Sequence, residues 1–261
     1  MKYIFFDIDN TLVSHSGGSH IPDETLEAIK LLRLSGHVPM IATGRAFFLT
    51  RLLADYLKIK YLLCAGGAEI IINRRKIYKK YLPENAINDF YNVAEKFPNE
   101  TVITDGEYYY TNGNFAEAAN YFNSQAGYEC VKELNFNERV KRALICYLMI
   151  KPENLNSEHG MFKNPPDGVT LEFMHHFIEA RNVNTSKWLG IELLVKKLGG
   201  KIEDVVTFGD GANDIEMIKN ASIGVAVGNS ESVRAVADYV ADDIDKGGIL
   251  KACKDLGLIE N

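Results

Sequence analysis

Short apolar runs, each followed by a glycine or a polar turn, recur near both ends of the chain. The clearest are Tyr3–Phe6, Val38–Ala42, Tyr61–Cys64, Val205–Phe208 and Ile223–Val227. Runs of this length without polar alternation are typical of strands buried on both faces of a parallel sheet. We therefore expect these segments to form the centre of such a sheet.

Segments with helical periodicity lie between these runs. In residues 22–35, Leu26, Ile29 and Leu32 share one face, acidic residues follow the opening proline, and a glycine comes directly after the last turn. The other predicted helices are Phe47–Leu57, Trp188–Leu198, Asp214–Lys219, Ser230–Ala237 and Gly248–Leu256. This alternation of strand and helix predicts a doubly wound, mostly parallel, Rossmann-like α/β core.

The middle of the chain follows a different pattern. Helical periodicity at Asn85–Lys96 and Phe115–Gln125 is mixed with shorter strand-like pieces, which are Thr101–Thr104, Tyr108–Tyr110, Ala143–Ile150 and Thr170–Phe173. We expect residues 82–181 to be an inserted α+β domain, with residues 1–81 and 182–261 forming the core.

The charge of the chain is unevenly distributed. Its formal net charge is −6, and residues 82–181 hold 15 acidic and 8 basic side chains. An acidic middle segment would repel a phosphate backbone, so nucleic acid is not expected as a partner.

The sequence has no pattern typical of a membrane span, a secretory signal or a disulfide framework. No apolar run approaches the ~18–20 residues that span a bilayer, and the acid at position 7 comes too early for a secretory signal. We expect a cytoplasmic monomer or dimer with no membrane partner. The four cysteines are far apart and form no C-x-x-C pair, which favours reduced, mostly buried thiols over disulfides or a zinc site.

The first predicted strand ends in two closely spaced acids. Asp7 and Asp9 are two residues apart, so their side chains point the same way. Two such charges about 4 Å apart repel by ~4 kcal/mol at an effective dielectric constant near 20. A bound cation or a proton would relieve that repulsion, although an ordinary polar turn remains the alternative.

Two further segments offer partners for an anion. Thr43 and Gly44 follow the second strand, where a hydroxyl and backbone N–H groups at a helix start can bind a phosphate, or where Thr43 simply caps the helix. Lys187 opens a predicted helix, a position that disfavours cations unless an anion is near. The alternative for Lys187 is a solvated surface lysine.

A glycine-flanked acid follows the fourth strand. Gly209 and Gly211 surround Asp210, and such glycines let backbone and metal approach closely. Oxygen ligands from Asp7, Asp9 and Asp210 would suit octahedral Mg²⁺. Because ligands of open α/β sheets bind beyond the carboxyl ends of the strands, these elements are expected to meet at one edge.

At this point the chain resembles the haloacid dehalogenase superfamily, and within it the Cof-type, class IIB sugar-phosphate phosphatases. The resemblance covers nearly the whole core and rests on four motifs in the expected order, Asp7-Ile8-Asp9-Asn10-Thr11, Thr43-Gly44-Arg45, Ser186-Lys187 and Gly209-Asp210-Gly211-Ala212-Asn213-Asp214. Asn10 stands where the family most often has glycine, which leaves the form of the following turn open. The inserted middle matches the family's cap domain in position and length.

The resemblance implies a Mg²⁺-dependent phosphomonoester hydrolase that acts on small phosphorylated metabolites. Asp7 would attack phosphorus and form an aspartyl-phosphate, and Asp9 would protonate the leaving alcohol and then activate water. Thr43 and Lys187 would hold the phosphoryl oxygens.

The remaining implied roles concern the phosphate and the metal. Gly44, Arg45 and Asn213 would join the phosphate-binding set, while Asp7, Asp9 (through its carbonyl), Asp210 and Asp214 would form the metal site.

Substrate selection is expected to come from the inserted domain. Its candidate residues are Glu172, His175 and His176, with the tyrosines of the Tyr108–Tyr110 run. Its acidic character favours small hydroxylated substrates, such as hexose or pentose phosphates, over polyanions.

Three other functions remain open at this stage. The first is a phosphotransferase or phosphomutase that uses the same site with a different acceptor. The second is a receiver-type signalling module, which also combines clustered aspartates with a threonine and a lysine but needs only ~120 residues. The third is a catalytically silent binding protein.

Overall fold

The structure is a computed structural model that describes residues 1–96, 101–111, 120–124, 127–133, 140–148, 164–173 and 178–260. Its contacts divide the chain into two compact units. The first unit contains Met1–Gly44, Leu52–Ile77 and Ser186–Asn261, and the second contains Arg45–Arg51 and Tyr78–Thr185. All four cysteines are buried.

The described strands are β1 (Tyr3–Phe6), β2 (Val38–Ala42), β3 (Tyr61–Cys64), β4 (Glu69–Ile72), β5 (Arg75–Lys79), β6 (Thr101–Thr104), β7 (Tyr109–Thr111), β8 (Val131–Glu133), β9 (Ile145–Leu148), β10 (Val169–Phe173), β11 (Ile178–Asn182), β12 (Val205–Gly209), β13 (Ile223–Val227) and β14 (Tyr239–Ala241). The described helices are α1 (Asp23–Leu34), α2 (Phe47–Tyr56), α3 (Glu84–Lys96), α4 (Lys187–Lys197), α5 (Ile215–Asn220), α6 (Glu231–Arg234) and α7 (Gly248–Asp255).

An eight-stranded sheet in the order β14-β13-β12-β1-β2-β3-β4-β5 forms the core. Neighbouring strands from β14 to β3 are parallel, and β4 turns back antiparallel to β3. Helix α1 packs against α7, and α4 packs against α5. The expected mixed α/β fold with a mostly parallel sheet is confirmed, and the apolar runs predicted as strands are strands.

Strand β1 lies near the centre of this sheet, where neighbours on both sides and layers on both faces bury it, and its four residues suit such burial. Each is apolar and at most 6% exposed. It pairs with β12 on one side and β2 on the other, and Phe6 is level with both Phe208 and Ile41. The carboxyl ends of three strands therefore meet at the same height.

Some elements differ from the sequence prediction. The predicted helix Ser230–Ala237 ends at Arg234, because the chain must turn to deliver β14 beside β13, and the Asp238 N–H donates to the Gly224 carbonyl at this turn. Strands β4, β5 and β14 were not predicted. Strand β5 lacks an apolar run, and β14 has only three residues.

The second unit contains a six-stranded sheet in the order β10-β11-β9-β6-β7-β8. Its neighbours are antiparallel except for the pair β7–β8. Helix α3 packs on this sheet and contributes Phe90 and Tyr91 to a core with Ile103 and Cys146. The predicted helix Phe115–Gln125 lies largely outside the described residues.

One predicted strand of the second unit is shifted along the chain. Tyr108 belongs to the turn before β7, since its carbonyl accepts a hydrogen bond from the Thr104 hydroxyl at 2.9 Å. Strand β7 consequently begins at Tyr109, whose ring is buried. Similarly, the strand predicted at residues 143–150 begins at Ile145.

Candidate active site

The first acid of the predicted pair is fixed directly beyond β1. Its N–H donates to the Phe208 carbonyl at 2.9 Å, so Asp7 extends the pairing of β1 with β12 by one residue. The Asp7 side chain is buried although it is ionisable. A buried carboxylate needs a compensating charge or strong hydrogen bonds.

Lys187 supplies that charge. Its Nζ lies 2.7 Å from Asp7 Oδ1 and 2.6 Å from Asp214 Oδ1, and the lysine side chain is only 3% exposed. Burial alone lowers the pKa of Lys187, but the charges of Asp214 and Asp7 outweigh it, so its pKa lies above the ordinary lysine value. The surface-lysine alternative is therefore wrong.

The helix that carries Lys187 starts at a close backbone contact. Ser186 is the N-cap of α4, and its hydroxyl accepts a hydrogen bond from the Leu189 N–H at 3.1 Å. A 3-10 turn at residues 65–67 passes beside it, where Gly67 has a φ of +91° and a Cβ placed on it would lie 2.1 Å from the Ser186 carbonyl oxygen. Only glycine fits there without displacing the start of α4.

Asp214 is held on both sides. While Oδ1 contacts Lys187, Oδ2 accepts hydrogen bonds from the N–H groups of Asp210 at 3.1 Å and Gly211 at 3.0 Å. The acid is completely buried, and a Cβ at Gly209 would lie 2.6 Å from its side chain. This geometry makes Asp214 an anchor that joins the loop after β12 to Lys187.

Asp210 is held by the turn that follows β1. It accepts hydrogen bonds from the Thr11 hydroxyl at 3.2 Å and from Asn10 Nδ2 at 3.4 Å. Burial and the nearby Asp214 raise the pKa of Asp210 to about 6. Asn10 has a φ of 54°, in the left-handed region that asparagine tolerates better than most residues.

These acids have the composition of a magnesium site. Carboxylate oxygens of Asp7, Asp210 and Asp214 lie within 4.8 Å of one another. Burial is the largest cause that raises the pKa of Asp7, to about 8, although Lys187 opposes it. When ionised, these three acids carry more negative charge than the single lysine offsets, and hard oxygen donors with surplus charge fit Mg²⁺.

Asp9 has a partner that the sequence did not suggest. His15 Nε2 lies 2.7 Å from Asp9 Oδ1, and His15 Nδ1 lies 3.0 Å from the Ser19 hydroxyl. The Asp9 side chain is 42% exposed and the His15 side chain 35% exposed. The only signal in the sequence was a histidine in the serine- and glycine-rich segment after the first motif.

A cavity of about 390 Å³ opens beside these groups. Its walls include Asn10, His15 and Asp210, together with Asn229 and Asp243 from the loops that follow β13 and β14. The side chains of the β1 turn and the acid after β12 therefore border one space in the first unit.

The three residues of the second motif, Thr43, Gly44 and Arg45, lie in different surroundings. Thr43 is buried directly after β2, where its carbonyl accepts a hydrogen bond from the Gly66 N–H at 3.0 Å. A Cβ at Gly44 would meet open space. Arg45 groups with the second unit, where its charge acts on the hydroxyl of Tyr109. Asn213 is half-buried in the 3-10 turn at residues 212–214.

The residues expected to select substrate are only partly described. Glu172 lies in β10, and its Oε2 is 2.8 Å from Arg181 Nη1 on β11. This ion pair fixes the carboxylate within the second unit. His175 and His176 lie outside the described residues.

Comparison with known families identifies the chain. Residues 4–253 match the model of the haloacid dehalogenase-like hydrolases, so the protein belongs to that family. It is 28% identical to the Bacillus subtilis protein YkrA over 262 residues, which are 99% of each chain. It is 29% identical to the 5-amino-6-(5-phospho-D-ribitylamino)uracil phosphatase YcsE of the same bacterium over 259 residues, 97% of this chain and 95% of YcsE.

Solved structures agree with this assignment. The HAD subclass IIB sugar phosphatase BT4131 superposes with a TM-score of 0.84 at 29% identity, covering 99% of this chain and 100% of that one. The protein is accordingly a phosphoric monoester hydrolase. Among the described residues, no helix has the length and apolar character needed to cross a membrane.

Proposed function

We propose that the protein hydrolyses small phosphorylated metabolites, in particular phosphate esters of hydroxylated carbon chains, through a phosphoryl group carried transiently on Asp7. The observation that supports this most strongly is the buried lysine bridge, in which Lys187 contacts both Asp7 and Asp214. Such a bridge holds the Asp7 carboxyl group at the end of β1 and places a cation beside it.

In the first step, a carboxylate oxygen of Asp7 forms a bond to phosphorus while the bond from phosphorus to the ester oxygen breaks. The departing alkoxide takes a proton from Asp9 and leaves as an alcohol. In the second step, a water molecule attacks phosphorus and gives its proton to Asp9, and the phosphorus–oxygen bond to Asp7 breaks. Inorganic phosphate leaves, and both acids return to their starting states.

The other site residues stabilise charge during these steps. Lys187 and the Thr43 hydroxyl are proposed to meet the phosphoryl oxygens, with Gly44, Arg45 and Asn213 as further contacts. Asp7, the Asp9 carbonyl and Asp210 would hold Mg²⁺, which supplies positive charge to the phosphoryl oxygens when bound. Asp214 is better suited to positioning than to ligation, because both of its oxygens already accept hydrogen bonds.

Relatives support the choice of substrate class. BT4131 is a sugar phosphatase, and YcsE acts on a phosphate ester of a ribityl chain. In both compounds the phosphate is attached to a polyhydroxylated carbon skeleton. We propose the same class here, with residues 82–181 as the cap that selects among its members.

The test compares Asp7→Asn with wild type in the hydrolysis of p-nitrophenyl phosphate and of a panel of sugar phosphates. We expect the variant to lose at least ~10³-fold in kcat, since the nucleophile is removed, and EDTA to stop the wild type until Mg²⁺ is added. Asp55→Asn is the matched control, because Asp55 is a surface acid paired with Arg74.

The products decide between the two reactions that this site could perform. Release of inorganic phosphate supports hydrolysis, whereas an isomeric sugar phosphate without free phosphate would show a mutase. Turnover by Asp7→Asn close to that of wild type would refute the nucleophile assignment.

A further inference from the structure

We propose that His15 is a positioning residue for the acid–base carboxylate, and that its imidazole holds Asp9 in the orientation from which Asp9 exchanges protons with the leaving group and with water. This inference rests on the proposed function, because it assumes the acid–base role of Asp9. It adds a residue that lies outside the four motifs.

The contact has the geometry of a charge-assisted hydrogen bond. The distance from His15 Nε2 to Asp9 Oδ1 is 2.7 Å, which falls within the range for a nitrogen donor and a carboxylate acceptor. Nε2 must be the donor, because a carboxylate can only accept. Nδ1 lies 3.0 Å from the Ser19 hydroxyl, which donates to the neutral ring or accepts from the imidazolium, and this contact fixes the second side of the ring.

His15 is carried by a hairpin that is tied down at its base. Ser14 and His20 exchange two backbone hydrogen bonds, of 2.8 Å and 3.0 Å, which close the segment between them. Asp245 contacts both residues at this base, with one oxygen 2.8 Å from the Ser14 hydroxyl and the other 3.5 Å from His20 Nε2. The imidazole therefore projects from a fixed support.

Asp9 needs such a support more than the other site acids do. Asp7 and Asp214 are buried and held by Lys187, whereas the Asp9 side chain is 42% exposed. An exposed carboxylate samples several rotamers, and a misplacement of about 1 Å costs roughly 10²-fold in rate. The contact with His15 acts on Oδ1 of this carboxylate.

The location of His15 is also appropriate for this role. Its side chain borders the same cavity as Asn10 and Asp210. The histidine that contacts Asp9 and one of the site acids, Asp210, therefore border the same space.

The test uses two substrates of similar shape whose leaving groups differ in their need for a proton. Phenoxide is a much stronger base than p-nitrophenoxide, so phenyl phosphate depends more on a general acid. We would measure kcat/KM of the Mg²⁺-loaded enzyme for both and use their ratio, p-nitrophenyl over phenyl, as the readout. The kcat/KM value reports the first phosphoryl transfer, which includes departure of the leaving group.

We expect His15→Ala to raise this ratio about tenfold. His15→Gln should return it to within twofold of wild type, because the glutamine amide can donate the same hydrogen bond. His37→Ala is the control from the same unit, since His37 accepts a hydrogen bond from the Lys2 N–H and takes no part in holding residues 14–20. Its ratio should equal that of wild type.

A ratio for His15→Ala within twofold of wild type overturns the inference, even if both kcat/KM values fall together, because a common fall indicates a structural effect. The variant Asp9→Asn, measured in the same assay, separates the positioning role of His15 from the acid–base role of Asp9. The proposed function predicts a ratio change of about 10²-fold for this variant. If Asp9→Asn changes the ratio and His15→Ala does not, only the His15 inference fails; if neither changes it, the acid–base role of Asp9 fails as well.

Discussion

Removing the buried lysine is the most direct test of how this site is held together. In Lys187→Met, a side chain of similar length replaces the cation, and the carboxylates of Asp7 and Asp214 remain where they were. Asp214 is completely buried and Asp7 is 6% exposed, so water cannot replace the lost charge. The buried carboxyl groups would then be left without a compensating cation, so each must either take up a proton or remain as an uncompensated charge.

The expected loss of stability is about 3–5 kcal/mol, the usual cost when one partner of a buried ion pair is removed. With a urea dependence of about 2 kcal/mol per molar, this lowers the unfolding midpoint by roughly 1.5–2.5 M. Adding Asp214→Asn removes one of the stranded charges. The double variant should therefore be more stable than the sum of the two single losses predicts, by about 2 kcal/mol.

The chain provides its own probe for this measurement. Trp188 is the single tryptophan, it follows Lys187 in α4, and it is 8% exposed. Its fluorescence during urea unfolding, in EDTA at pH 7.5, therefore reports on the first unit. If the two single losses add to the double loss within about 0.5 kcal/mol, the charge-bridge argument is refuted.

Two further predictions concern the metal and the backbone. The pKa values of Asp7 and Asp210 are raised to about 8 and about 6, so Mg²⁺ should displace protons from these acids when it binds. The affinity for Mg²⁺ should therefore rise between pH 5.5 and 8 by up to about tenfold per pH unit for each proton released. Calorimetric titrations that gave the same affinity across this pH range would contradict the raised pKa values. Gly67→Ala should lower the free energy of unfolding by at least about 2 kcal/mol through its clash with Ser186. Gly36→Ala is its control, since it shares a positive φ but meets open space and should lose only about 1 kcal/mol; equal losses in urea unfolding would refute the clash.

The sign of the pH effect on stability follows from the same acids. In the metal-free protein the pKa of Asp7 is higher in the folded state than in the unfolded chain, where it is near 3.8. Its contribution therefore favours folding at low pH and is lost as the pH rises towards 8. Mg²⁺ should stabilise the protein most at the upper end of this range.

The core strands could be predicted because burial on both faces leaves a strong sequence signal. β1, β2 and β13 are continuous apolar runs, and their predicted bounds match the structure. The residues of β5, Arg-Lys-Ile-Tyr-Lys, carry no such signal, because this strand lies at the edge of the sheet and faces water. Its pairing is a consequence of the turn after β4 and not of its own composition.

The acids and the lysine could be predicted for a related reason, since each follows or precedes an element whose position the sheet dictates. The contact between His15 and Asp9 could not, because it depends on the closure of residues 14–20 by hydrogen bonds between backbone atoms. Such closure has no characteristic residue pattern. The anchoring of that segment by Asp245, more than 220 residues away along the chain, is equally invisible in the sequence.

The central place of β1 has a consequence for biosynthesis. One edge of this strand pairs with β12, so Asp7, which we propose as the nucleophile, reaches its hydrogen-bond partner Phe208 only after β12 has been synthesised. Pairing over such a separation is entropically slow compared with local contacts. About 200 residues must therefore be synthesised before Asp7 is held in the position seen in the structure.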